Sequence, residues 1–175
     1  MFETTGVLKK DLVYRGVRRS MQLPIAIMML LLWIGALLLL VVLPLGTGMF
    51  FLSALLFTAI CGVGYFAQCD NIPKAAVAKI EPFYGAPEPE ITTRFTEQEI
   101  AVFCGEVQVL SLGYDQLRSI RKIDAVYLLQ SSAGQYCYVF ASALSAEERR
   151  AFLRFLKTKT PGLLGLGGLL REEGA

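Results

Sequence analysis

The stretch Val41–Phe51, VVLPLGTGMFF, lies in the middle of a run from Ser20 to Cys69 that contains no Asp, Glu, Lys or Arg. As one helix, the apolar part of that run, Leu23 to Ala67, would extend about 68 Å, twice the hydrocarbon thickness of a bilayer. Pro44, Gly46 and Gly48 fall near its midpoint, and such residues end helices and build tight turns. The run therefore reads as two transmembrane helices joined by a short turn.

The rest of the composition agrees with that division. The 175 residues are 54% apolar and the mean hydropathy is +0.51, values foreign to a soluble domain of this size. Without the hairpin, a short charged N-terminal segment and a stretch of ordinary polarity remain, enough for one small domain. The net charge is +2 with Lys and Arg scattered among acids, so no nucleic-acid footprint appears. The apolar run is too long and too late for a secretory signal peptide.

Lys9, Lys10, Arg15, Arg18 and Arg19 precede the first span, Lys74 and Lys79 follow the second, and the turn carries no charge. The positive-inside rule puts both termini in the cytoplasm of a multi-pass protein of the cytoplasmic membrane, with Tyr14 and Tyr65 at the interface. In lipid, small residues decide where helices meet. Ala54, Thr58 and Gly62 form an i, i+4, i+8 row on the second span, and Gly35 lies at matching depth on the first. These faces are expected to touch each other; the alternative is that the row binds another membrane protein. Neither span carries an ionisable residue, which argues against a pore or transport path made by this chain alone.

The cytoplasmic part divides by period. Residues 1–20 open with a strand-like piece and pass into a helix. Pro82, Pro87 and Pro89 make residues 70–88 an extended linker. ITTRF, EIAVFC, VQVLSL, LRSIRKI, AVYLLQS and YCYVF then read as six strands separated by turn signals. Ser145 and Glu148 have capping-box spacing, and Phe152, Leu153 and Leu156 recur on one face of the helix that follows, which Thr160-Pro161 stops. Strands followed by one helix make an α+β roll or a partly open barrel, closed by that helix. Residues 161–175, with GLLGLGGLL, read as a flexible tail.

The chemistry of catalysis is thin. The sequence contains no His, no phosphate-binding glycine loop and no paired carboxylates on a core-facing helix, and its four cysteines form no C-x-x-C pair. These features predict a non-enzymatic protein with no catalytic residue, metal or cofactor. Arg118, Arg121 and Lys122 are the one basic cluster of the soluble part, either a partner or headgroup contact or a solvated strand edge. Phe155 lies about 100° around the helix from Leu156 and is expected to remain partly exposed as a partner contact.

The order of segments, FTEQEI at Phe95–Ile100, YDQLRSI at Tyr114–Ile120, the aromatic-rich hairpin after it and ERRAFLRFL at Glu148–Leu156 together resemble the bacterial YcxB-like membrane proteins. The resemblance covers most of the chain. It implies that residues 89–160 form a pleckstrin-homology-like barrel or roll at the cytoplasmic surface, beside the hairpin at 21–69. It supplies no reaction, and Ala141-Ser142 stands where the family often has a Pro-Lys pair. The implied role is an interaction or regulatory module. Its partners are the lipid bilayer and either an unidentified protein or a second copy of itself. An accessory subunit of a larger membrane complex, bound through the hairpin, is the other reading.

Overall fold

The computed structural model describes residues 1–42 and 47–174. The chain runs β1 (Phe2–Val7), α1 (Lys10–Val42), α2 (Thr47–Ala78), α3 (Ile80–Tyr84), β2 (Glu90–Phe95), β3 (Glu99–Cys104), β4 (Val107–Gly113), β5 (Leu117–Ile123), β6 (Val126–Ser131), β7 (Tyr136–Phe140), α4 (Ala146–Lys159) and α5 (Leu166–Glu172). The turn expected at Pro44 and Gly46 lies outside the described residues.

The chain forms two compact units. One is Val13–Lys79; the other combines Met1–Leu12 with Ile80–Ala175. In the first, α1 and α2 are both long and apolar enough to cross a membrane, and almost nothing in either apolar window is buried by the protein. Leu39, Leu55, Val63 and Phe66 are among the large side chains left exposed, a surface that water does not tolerate over this extent. The helices are antiparallel neighbours. Tyr14 of α1 donates to Asp70 of α2 at 2.5 Å, and farther along, the Trp33 indole N–H donates to Thr58 Oγ1 at 2.9 Å.

In the second unit β1 to β4 form one antiparallel sheet in chain order, and β5 to β7 form another. Alternation decides which faces turn inward: on β2, Ile91, Thr93 and Phe95 are buried while Arg94 turns out to Glu3 at 3.0 Å. The β5–β6 turn needs only Asp124 and Ala125 between the paired Ile123 and Val126, and Asp124 takes a left-handed φ of 52°, which Asp tolerates. Where the two sheets meet, Thr93 Oγ1 donates to the Tyr138 carbonyl at 2.8 Å. Gly6 lies against the Phe140 ring, which occupies the space that a Cβ would need.

The helix α4 closes the core. Ser145 and Glu148 form both halves of the capping box. Phe152, Leu153 and Leu156 are fully buried, and the Phe152 ring meets Phe2, Phe95 and Tyr127. The α+β class and the capping helix are as expected, but among the described residues the sheets remain two separate ladders.

Three sequence expectations are corrected. The N-terminal strand is not a separate segment but joins the sheet of the soluble part: β1 pairs with β2 from Phe2↔Phe95 to Val7↔Glu90. The linker at 70–88 is largely helical, since α2 continues through Pro73 to Ala78 and α3 follows; Pro82 falls in the first turn of α3, where its missing N–H costs nothing. The tail at 161–175 is folded. Leu163, Leu166, Leu169 and Leu170 are buried, and Leu164 pairs with β5, its carbonyl accepting from Ile120 N at 2.9 Å and its N–H donating to the Arg118 carbonyl at 3.2 Å. Burying four leucines at about 2 kcal/mol each favours order over the entropy of a free tail.

Candidate functional site

The residues expected on the hairpin's packing face do not all meet. A Cβ built on Gly35 or on Gly62 encounters nothing within 4 Å, whereas one on Gly64 meets the Met29 side chain at 3.3 Å. Thr58 does join the helices, but through a hydrogen bond from Trp33 rather than through close backbone approach; it also donates to the Ala54 carbonyl at 2.8 Å. A groove of about 700 Å3 runs between the helices, with Gly35, Ala36, Ser53 and Leu56 among its lining.

The basic cluster is divided by the strand that carries it. Arg118 is exposed at the β5 irregularity, where pairing slips between Leu117 and Ser119. Lys122 faces the helices and Arg121, one residue away, takes the opposite face. Lys122 is held by the carboxylate of Glu173, which it meets at 2.5 Å, and the same carboxylate accepts from Tyr127 Oη at 3.0 Å and lies 3.5 Å from Arg149. The Lys122 hydrogen bond keeps Glu173 ionised below the usual glutamate range. Burial, reinforced by Glu173, raises the Tyr127 phenol. Lys122 is thus part of an internal cluster with Glu173, Tyr127 and Arg149.

Phe155 is half-buried, as its position around α4 implies. It contacts the rings of Phe2 and Tyr114 at 5.4 and 5.8 Å, and Lys159 lies 5.8 Å from its centroid. Lys159 also meets Glu97 at 2.6 Å, which lowers the pKa of that carboxyl.

No group of three His, Cys, Asp or Glu side chains placed to hold a metal occurs among the described residues. Cys137 is fully buried beside Thr93, and burial pushes its thiol up to about 12, which keeps it protonated and unreactive.

Sequence reading missed the groove between α4 and α5, a cavity of about 610 Å3 with Arg154 and Lys157 on one wall, Leu166, Leu170 and Arg171 on the other, and Leu163 between them. Its signal was present: Leu163, Leu166 and Leu170 recur at i, i+3, i+7, the period of one helix face. Gly165 starts α5 with a φ of 91°, and its missing Cβ leaves room for the Ile120 carbonyl, so only glycine lets the chain turn there from β5 into the helix.

Compared with known proteins, the chain matches no family model, no curated protein and no solved structure.

Proposed function

We propose that this chain is a non-enzymatic, membrane-anchored interaction or regulatory module, presenting a small pleckstrin-homology-like domain of the YcxB-like kind at the cytoplasmic surface. The observation that carries the reading is the β1–β2 ladder. The two strands that bracket the apolar helices are paired along their length, and Leu8 N donates to the Pro89 carbonyl at 2.9 Å where the chain leaves and rejoins the sheet. A bilayer crossed by α1 must then be recrossed by α2, which agrees with the basic residues that flank both helices. The anchored domain offers folded, water-facing surface, which suits binding.

A reporter active only in the cytoplasm tests the arrangement: fused before Met1 or after Ala175 it should be active, and inserted at 43–46 it should be silent. Activity at the inserted position, or silence at either end, defeats the proposal. The groove between α1 and α2, with Gly35, Ala36 and Ser53 in its lining, favours a second reading, an accessory subunit that receives a partner's helix there. Crosslinking and affinity capture from native membranes separate the two. Partners retained by a chain lacking the helices support the module, and partners lost with them support the subunit.

A further inference from the structure

Two cations of α4 are matched to carboxylates: Arg149 lies 3.5 Å from Glu173, and Lys159 meets Glu97 at 2.6 Å. Arg154 and Lys157, between them on the helix, are not. They stand at i, i+3, neighbours on one face of α4, and Arg171 in the last turn of α5 borders the same cavity. All three are exposed and make no side-chain hydrogen bond or ion pair among the described residues. Glu173, two residues beyond Arg171, is engaged by Lys122 and Arg149. No acid lines the cavity.

The leucines of the wall are already covered by the protein: Leu163, Leu166 and Leu170 are all buried. What the cavity offers an occupant is positive charge. Three cations around one space repel each other, and an anion between them converts that repulsion into attraction. Their number favours a multiply charged anion. Two of the three are guanidinium groups, whose planar forks match phosphate oxygens two at a time, and the lysine adds a compact third charge. The lining holds no aromatic ring and no side-chain amide or carboxylate with which to read a base or a sugar, so recognition is confined to the phosphates. At about 610 Å3 the space falls within the range of small-ligand sites, and Gly167, where a Cβ would meet nothing within 4 Å, leaves the α5 wall open. We infer that the α4–α5 cavity binds a small soluble anion with linked phosphate groups, of the diphosphate class, held by Arg154, Lys157 and Arg171. The site is complete within the second unit and needs nothing from α1 or α2.

The test titrates the full chain, in a neutral detergent, with inorganic pyrophosphate by calorimetry at about 0.15 M salt, where distant surface charges are screened. Pyrophosphate should saturate one site and bind about tenfold more tightly than orthophosphate. Arg154→Gln/Arg171→Gln removes two charge-assisted contacts, so the dissociation constant should rise about 100-fold. Lys9→Gln/Lys10→Gln removes the same charge from exposed positions outside the cavity and should change the constant less than about twofold. Gly167→Phe keeps every charge and fills the space; binding should be lost while amide exchange of the free protein stays as in the parent chain. Absence of saturable binding, or an affinity unchanged in the arginine variant, overturns the proposal. An equal loss in the Lys9 and Lys10 variant also overturns it, by reducing the effect to net charge. Native affinity in a folded Gly167→Phe variant overturns the cavity as the place of binding, and should that variant not fold, the two charge variants decide.

Discussion

Leu166 decides whether the end of the chain is structure or tail. It is 3% exposed, set between α4 and β5, while Leu164 two residues earlier is 62% exposed. Truncating a well-packed buried leucine to alanine removes its transfer energy and leaves a cavity, together about 2–5 kcal/mol. An exposed leucine in the same segment should cost no more than about 0.5 kcal/mol. The contrast is best measured on the second unit alone, with Met1–Leu12 joined to Ile80–Ala175 by a flexible Gly-Ser linker, so that the two long apolar helices do not complicate the transition. For a domain of about 100 residues each kcal/mol moves the midpoint by about 4 °C or more, so Leu166→Ala should lower Tm by roughly 10 °C and Leu164→Ala by about 2 °C at most. Near-UV circular dichroism reads the transition, and amide exchange on the full chain checks it: Ile120 N–H, which donates to the Leu164 carbonyl, should lose protection in Leu166→Ala. Equal and small effects of the two substitutions would refute the packing of residues 161–174 and with it the groove.

Other consequences can be measured on the same unit. Because the folded-state pKa of Glu173 is depressed, the stability from its cluster is complete above the unfolded glutamate pKa and is lost as pH falls through the folded value. Urea midpoints should therefore drop below about pH 4.5, and Glu173→Gln should flatten that part of the profile while costing about 1–3 kcal/mol at neutral pH. Gly165→Ala should destabilise by about 1–3 kcal/mol through strain and the Ile120 carbonyl, whereas Gly167→Ala, in open space on a helix, should gain up to about 1 kcal/mol in the same denaturant series. Phe152→Ala should cost about 3–5 kcal/mol and Phe155→Ala clearly less; equal losses would make Phe155 core. In the full chain, Thr58→Val removes the acceptor of the single tryptophan, and the Trp33 emission maximum should move to the blue.

Much of the domain was legible because its signals are local. Glu99–Cys104, Leu117–Ile123 and Tyr136–Phe140 coincide with the strands read from β-branched and aromatic runs, and Ser145 caps its helix where the Ser-x-x-Glu spacing places it. What escaped was pairing at a distance. FETTGV looks like a strand by itself, but nothing within it names EITTRF as its partner beyond two long helices. The leucines of residues 163–170 have helical period, yet the glycines between them read as flexibility until the packing of Gly165 on Ile120 gives one of them a reason. The half-buried state of Phe155 was legible from its angle around α4. The pairing of Lys122 was not, because Glu173 lies more than fifty residues farther along the sequence.

The β1–β2 ladder also orders events in time. During synthesis β1 emerges first and can find no partner until both helices and Glu90–Phe95 have followed, so the sheet closes a loop of residues 8–89 late, against the entropy of that separation. If only one helix has entered the bilayer, the two strands stand on opposite sides of it and the sheet cannot form. In the proposed membrane arrangement, completion of the domain would report that both helices have inserted, because a half-inserted chain would display an unpaired β2 edge and uncovered core, features that expose a chain to quality control.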